Sequence, residues 1–449
     1  MPILVLLFLL CSLSCWAQVD SLKVNQLTVG MDFLTHGETC GGGLPKSTDG
    51  TESVEDRSSF LLGRFRLNID YSRSWLQAHA VIQNNAVWGS QNNTALKLYE
   101  SWVKVTAKCG LFAQVGRVAL SYDDERIIGP NDFAAAALSH DVLRVGYEGY
   151  GHRLHAFVAY NQNSDDVYAD TYYADGAQDY KTMQTVWYHY DIPKFPLGAS
   201  LLFMNIGLQA GQYVESGGKK VPLEINPPRT EYQQLFGGYL NFHPRFLTLE
   251  GSYYRQRGQV VNAKKEALPV KAWMASAKAT VSPTDHYGFE LGYDYLSGDD
   301  YVPVVYGGMK GLPRHAELGG FTPLYGSRNT FYGIMDFFYQ SAYIRDFTPG
   351  LQKAFAGVFC SPTGKFDCKL SYHYLAVTTD LASLNRTLGH CIDLQATYRF
   401  TKDIALYAGY TQMMGTETVR RLKQDNGSEH AQWGWFSLVI SPSLFTTRW

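Results

Sequence analysis

The sequence predicts an all-β fold: a single transmembrane antiparallel β-barrel of roughly 18 strands, with short periplasmic turns and long extracellular loops. Three observations predict it. Apolar and polar residues alternate with period two in segments of about ten residues, each ended by Gly, Pro, Asn or Asp. Aromatics make up 14% of the chain, with 31 Tyr, and Gly is frequent at 42. Charged residues are 18%, below the roughly 25% of soluble domains. After Gln18 no segment approaches the about 20 apolar residues of a membrane helix. A membrane chain without such helices must close into a barrel, because only these two forms satisfy every backbone group in lipid. A soluble β-rich secreted protein is the alternative, and the persistence of the alternation over many strands argues against it.

Taken in order, residues 1–17 read as a targeting segment. Pro2 to Leu10 is almost wholly aliphatic, and Cys15 and Ala17 occupy the −3 and −1 positions of a cleavage before Gln18. The segment has no Lys or Arg before its apolar run. Neither Cys11 nor Cys15 has a Leu three residues before it, which speaks against a lipoprotein box. Residues 18–449 read as one barrel with no separate plug domain, its strands beginning near Leu22.

Gly63 to Tyr71 is a clear strand. Phe65, Leu67, Ile69 and Tyr71 alternate with Arg64, Arg66, Asn68 and Asp70. Successive side chains of a strand point to opposite faces, so one face meets lipid and the other a wet interior. The same pattern recurs where Tyr99, Ser101, Val103 and Val105 oppose Glu100, Lys104 and Thr106. Leu143, Val145 and Tyr147 oppose Arg144 and Glu148. Phe289, Leu291, Tyr293 and Tyr295 oppose Glu290 and Asp294. Leu370, Tyr372 and Tyr374 oppose Lys369, Ser371 and His373, and Ile392, Leu394 and Ala396 oppose Asp393 and Gln395.

Short turns are expected at Tyr71-Ser72-Arg73-Ser74, Gly149-Tyr150-Gly151, His243-Pro244-Arg245 and Ser282-Pro283-Thr284-Asp285. Long loops are expected at Gly37 to Asp56, Asn163 to Asp179, Glu215 to Arg229 and Ser297 to Gly326. The two sets interleave, as up-and-down topology demands. His36, His140, His286 and His315 read as loop or interface residues.

With 39 basic and 41 acidic side chains and a formal net charge of −2, the chain lacks the basic excess of a nucleic-acid partner. Past Gln18 the cysteines are Cys40, Cys109, Cys360, Cys368 and Cys391, and an odd number is a poor disulfide framework. Cys360 and Cys368 flank a Ser-Pro-Thr-Gly turn, so they are either a cross-strand bridge or two small lipid-facing residues. No Cys or His spacing suggests a metal site, and no nucleophile elbow or phosphate loop suggests an enzyme or a cofactor.

One stretch has a signature of its own. Val115 to Phe133 leaves a strand through Gly116-Arg117, passes Tyr122, Asp123, Asp124 and Arg126, and reaches Ile127-Ile128-Gly129-Pro130. It resembles the signature of the alginate-export family of bacterial outer-membrane barrels, with Val118 where that family has a polar residue and Phe133 where it has Trp. A second match joins Gly292-Tyr293-Asp294-Tyr295-Leu296-Ser297-Gly298-Asp299 to the run from Gly326 through Arg328, Phe331 and Gly333 to Asp336-Phe337. The terminal Ser441-Pro442-Ser443-Leu444-Phe445 and Trp449 resemble the tail that the barrel-assembly machinery reads.

The resemblance implies a passive porin-like channel embedded in outer-membrane lipid of a Gram-negative cell. Its solutes would be small polar or anionic compounds, saccharides or uronate polymers among them. The alternative is a barrel with a blocked lumen and a binding or structural role. Charged rings lining a pore select ions. By periodicity the inward basic set is Arg64, Arg66, Lys104, Arg117, Arg144, Lys278, Lys369 and Arg399, nearly balanced by Asp70, Glu100, Glu148, Glu250, Glu290, Asp294 and Asp393. Arg117, Asp123, Asp124, Arg126 and Asp132 are the expected constriction, on a loop folded into the lumen or anchored by salt bridges. Arg328 and Asp336 are weaker members.

Overall fold

In the computed structural model the described residues are 24–42, 57–90, 95–133, 137–162, 180–216, 219–262, 264–299, 317–331, 348–381, 384–423 and 430–449. Strands follow one another as β1 (Gln26–Gly41), β2 (Arg57–Arg73), β3 (Leu76–Val87), β4 (Ala95–Thr106), β5 (Leu111–Val118), β6 (His140–Gly149), β7 (His152–Tyr160), β8 (Thr182–Asp191) and β9 (Leu197–Ala210). A small hairpin, β10 (Tyr213–Ser216) with β11 (Lys219–Pro222), stands outside the wall. The wall resumes with β12 (Arg229–Phe242), β13 (Leu247–Val261), β14 (Ala267–Val281), β15 (Tyr287–Leu296), β16 (Leu351–Thr363), β17 (Phe366–Ala376), β18 (Thr387–Arg399), β19 (Ile404–Gly415), β20 (His430–Ile440) and β21 (Ser443–Arg448).

Each wall strand pairs antiparallel with its neighbours in sequence, and β9 pairs β12 across the small hairpin. β1 closes the ring. It pairs β2 on one side and, on the other, β20 along Phe33–Gly41 and β21 along Gln26–Gly30. β20 and β21 are therefore one stave interrupted at Ser441-Pro442, and the barrel has 18 staves. Closure removes both sheet edges, which lipid does not tolerate.

The two faces separate as the alternation predicts. Val115, Leu143, Leu201 and Leu291 point outward and are 57%, 52%, 66% and 62% exposed, whereas Arg64 and Asp294, pointing inward, are 4% and 2% exposed. Tyr150, Phe195, Phe246, Tyr287 and Phe400 are exposed at the short-turn end, where an aromatic girdle meets the membrane interface.

Turns at Tyr150, at His243–Phe246 and at Ser282–His286 lie where expected. The β2–β3 turn is Ser74-Trp75, because β2 runs through Arg73. β1 likewise continues to Gly41, and the Glu215 loop holds the β10–β11 hairpin. The expected loop 163–179 lies outside the described residues, as do the targeting segment, His315 and the middle of the Ser297 loop.

His36 and His140 are corrections: both sit in strands and are buried. His36 is held by Ser437 Oγ at 2.6 Å and Glu38 at 2.8 Å, and His140 by the Tyr180 hydroxyl at 2.9 Å. Cys360 and Cys368 face each other directly across β16 and β17 with their sulfurs 2.9 Å apart, unbridged.

Tyr99 is a third correction. The β3–β4 register shifts between Val81 and Ile82, so Tyr99 is the extra residue of a bulge. A bulge places two successive side chains on one side, and Tyr99 turns inward under Arg66, whose guanidinium lies 4.0 Å from its ring centre.

The interior is not uniformly wet. Met183, Met204, Leu235 and Met274 point inward from the long-loop halves of β8, β9, β12 and β14. They bury against Ile128 and Phe321, which come from loops inside the barrel and are 0% exposed. The inner loops thus bring their own apolar side chains into the lumen and form a core there.

Candidate functional site: a bridge across the lumen

The loop after β5 re-enters the barrel. Gly116 prepares the turn with φ at +127°, and a Cβ there would lie 2.1 Å from the Ser101 carbonyl oxygen, so only glycine fits. The Ala119 amide donates to Glu100 at 3.0 Å, fixing the exit from the wall. Asp123, Glu125 and Asn131 all adopt left-handed backbone, with φ of 54°, 63° and 47°. That is uncommon for residues with side chains and persists only where surroundings hold it.

The surroundings are five strands of the wall, β2, β6, β8, β13 and β15. Tyr122 packs on Trp187 of β8, ring centres 4.9 Å apart, and its hydroxyl accepts from Arg144 of β6 at 3.1 Å. Asp123 accepts from the Trp187 indole at 2.9 Å and the Tyr254 hydroxyl at 3.5 Å. Burial pushes its carboxyl above the usual carboxylate range, against the Ser200 and Trp187 donors that pull it down. Asp124 pairs Arg126 at 3.2 Å, and Arg126 reaches Asp294 of β15 at 3.0 Å while its guanidinium lies 4.1 Å from the Phe331 ring centre. Asp132 then returns to β2, hydrogen-bonded to Arg64 at 3.1 Å and ion-paired with Arg66 at 2.8 Å. In ten residues the chain spans the lumen from β8 and β13, past β15, to β2.

A second inner segment, residues 317–331, supports the first. Ile128 and Tyr325 form a parallel bridge. The Gly129 amide donates to the Tyr325 carbonyl at 2.9 Å, the Tyr325 amide to Ile127 at 3.0 Å, and the Ser327 amide to Glu125 at 2.9 Å. The Glu125 carboxylate also accepts from Ser121 at 2.8 Å and Ser327 at 2.9 Å. A Cβ on Gly326 would lie 2.2 Å from the Arg126 carbonyl oxygen, so the two backbones meet only because that residue is glycine.

Among the expected site residues, Asp123, Asp124, Arg126 and Asp132 are brought together on this bridge. Arg64, Arg66, Lys104 and Arg144 line the inner wall. Lys104 sits 3.5 Å from Glu148 and over the Phe112 ring, and Arg144 donates to Gln114 at 2.8 Å. Arg117 is a correction. It shares the outward phase of Val115 and pairs Asp141 at 2.7 Å on the outer face, near the long-loop rim. A charge is tolerated there because the strand end lies toward the headgroups, where such substitutions cost about 0–1 kcal/mol. Arg328 lies in a helical turn, Arg328–Phe331, and Asp336 lies outside the described residues.

Sequence reasoning missed Glu125, Ser327, Trp187 and Lys353. Lys353 lies 3.2 Å from Asp294 and also bonds the Phe331 carbonyl. The Leu351-Gln352-Lys353 alternation at the start of β16 was the available signal for it.

An eighteen-stave barrel with a loop folded inward is the architecture of bacterial outer-membrane porins. Solved structures of that fold align over nearly the whole chain. OccK2 (OpdF) of Pseudomonas aeruginosa, in complex with glucuronate, has a TM-score of 0.59 at 11% identity, covering 93% of this chain and 97% of that one. OccAB1 of Acinetobacter baumannii has 0.58 at 12%, covering 93% and 97%. OccK5 (OpdH) of Pseudomonas aeruginosa has 0.57 at 11%, covering 93% and 98%. At these identities the likeness is one of fold. No family model and no curated protein matches the chain in sequence.

Proposed function

We propose that the protein is a passive channel of the Gram-negative outer membrane, exported through a cleaved signal segment and inserted by the barrel-assembly machinery. Its solutes are small polar or anionic compounds, saccharides and uronate polymers among them. The observation that carries this reading is the charged bridge. Asp123, Asp124, Arg126 and Asp132 cross the lumen of a porin-type barrel on a loop anchored to β8, β13, β15 and β2. A constriction held this rigidly sorts solutes by size and charge without an energy source.

The resemblance to the alginate-export family gains support from where its motifs meet. The stretch Glu125–Gly129 is hydrogen-bonded to Ser327 of the second motif and to Tyr325 just before it, some two hundred residues away. Motifs that pair inside the lumen are consistent with a shared channel device. The glucuronate in the OccK2 complex belongs to that protein and fits the solute class proposed here.

A second reading is a blocked barrel, favoured by the apolar core that Ile128 and Phe321 build inside the wall. Reconstitution in planar bilayers decides between them. Steady ohmic steps are expected for the channel, and silence at every voltage would establish the blocked barrel.

A further inference from the structure

We propose that a cavity on the short-turn side of the bridge binds a neutral, hydroxyl-rich solute the size of one sugar ring, and disfavours anions. The proposal rests on the channel reading and narrows its solute. The cavity, about 160 Å³, lies between Arg126 and Phe331 of the inner segments and the inner faces of β13 to β18.

Each fixed cation lining it already has a carboxylate. Lys278 pairs Glu250 at 2.9 Å and Lys369 pairs Glu290 at 2.7 Å. Lys353 and Arg126 share Asp294 at 3.2 and 3.0 Å, and Arg126 holds Asp124 as well. With Asp393 added, carboxylates outnumber fixed cations among the described lining residues. Among the described lining residues no cation is left without a carboxylate to draw an anion.

What the cavity lacks is a donor. Asp393 of β18 is 3% exposed, and its Oδ2 lies 3.0 Å from His373 Nε2 of β17. Its Oδ1 has no hydrogen-bond partner among the described residues, and neither has Nδ1 of His373, which is 8% exposed. Neither ring nitrogen of His373 makes a hydrogen bond among the described residues, and the one that carries no proton in the neutral ring is an acceptor too. Two buried acceptors on adjacent strands, left unmatched, cost free energy that solute hydroxyls recover. A solute carboxylate brings another acceptor and another negative charge. A solute ammonium would sit beside the ammonium groups of Lys353 and Lys369.

Glucose and glucuronate share one ring frame and differ by a carboxylate, so they form a matched pair of probes. In proteoliposome swelling, glucose is expected to enter about tenfold faster than glucuronate, the size of effect a short-range, partly screened like charge produces. Glucose should also produce resolvable current blocks in single channels. Asp393→Ala, checked for folding by heat-modifiable mobility on gels, should abolish those blocks. Asp393→Asn keeps the shape and removes the charge, and should narrow the glucose-to-glucuronate ratio. Ion current with equal or faster glucuronate entry would overturn this inference and leave the channel standing. Absence of both current and swelling would overturn the channel reading and this one with it.

Discussion

Arg126 is the side chain on which the bridge turns. It and its partner Asp294 are buried, their side chains 7% and 3% exposed. Removing Arg126 leaves Asp124 without its cation while Asp294 keeps Lys353, so the cost stays below the about 3–5 kcal/mol of a fully uncompensated buried charge. Arg126→Ala should therefore lower the thermal unfolding midpoint and shift permeability toward cations, read as a changed reversal potential in a salt gradient. Arg117→Ala should leave the reversal potential where it was, since that guanidinium lies outside with Asp141. Asp123 makes a pH prediction. Its folded-state carboxyl titrates above its unfolded value because it is buried. The resulting penalty is present above the folded pKa and disappears below the unfolded one. Asp123→Asn removes the penalty at neutral pH. The variant should unfold at a higher temperature than the parent near pH 7, with the gap closing by about pH 4. A gap that stays constant with pH would mean that the buried Asp123 carboxylate does not destabilise the fold.

At the scale of the element, the strands were legible and the bridge was half legible. Period two is a consequence of two solvents meeting one wall, so Phe65 and Leu291 announce their faces without help from any other residue. Bulges erase that signal locally, because an extra residue shifts the phase. Tyr99 therefore read as outward when it packs inside under Arg66. Arg117 misled in another way: the periodicity reading placed it with the inward basic set, while its spacing of two from the outward Val115 puts it on the outer face. The charges of the first inner loop were visible in sequence. Their partners were not, since Trp187, Tyr254 and Ser327 come from distant segments and leave no local pattern.

The loop pair is the element most exposed to a single change. Gly326→Ala would drive a methyl into the Arg126 carbonyl and separate the two backbones. The expected outcome is larger and noisier unitary conductance, with faster proteolysis near Glu125. Unchanged conductance would mean that the second loop does not brace the first.

For the whole molecule, everything depends on the ring being shut, and it is shut by two short ladders on β1. β20 covers Phe33–Gly41 and β21 covers Gln26–Gly30. Between them lies Pro442, which has no amide proton to give, and the register shifts there between Val29 and Gly30. The Met31 amide is satisfied by the Pro442 carbonyl at 3.1 Å, and Asn25 and Trp449 exchange backbone bonds at 2.9 and 3.1 Å. Removing residues 443–449 would strip the partners from Gln26–Gly30. In lipid each unpaired backbone group costs several kcal/mol, far more than the strand's side chains return. The truncated chain should therefore fail to give the compact, heat-modifiable band of a folded barrel, while Trp449→Ala, which keeps every backbone bond, should still give it. A truncated chain that folds and conducts would mean that β20 alone seals the wall.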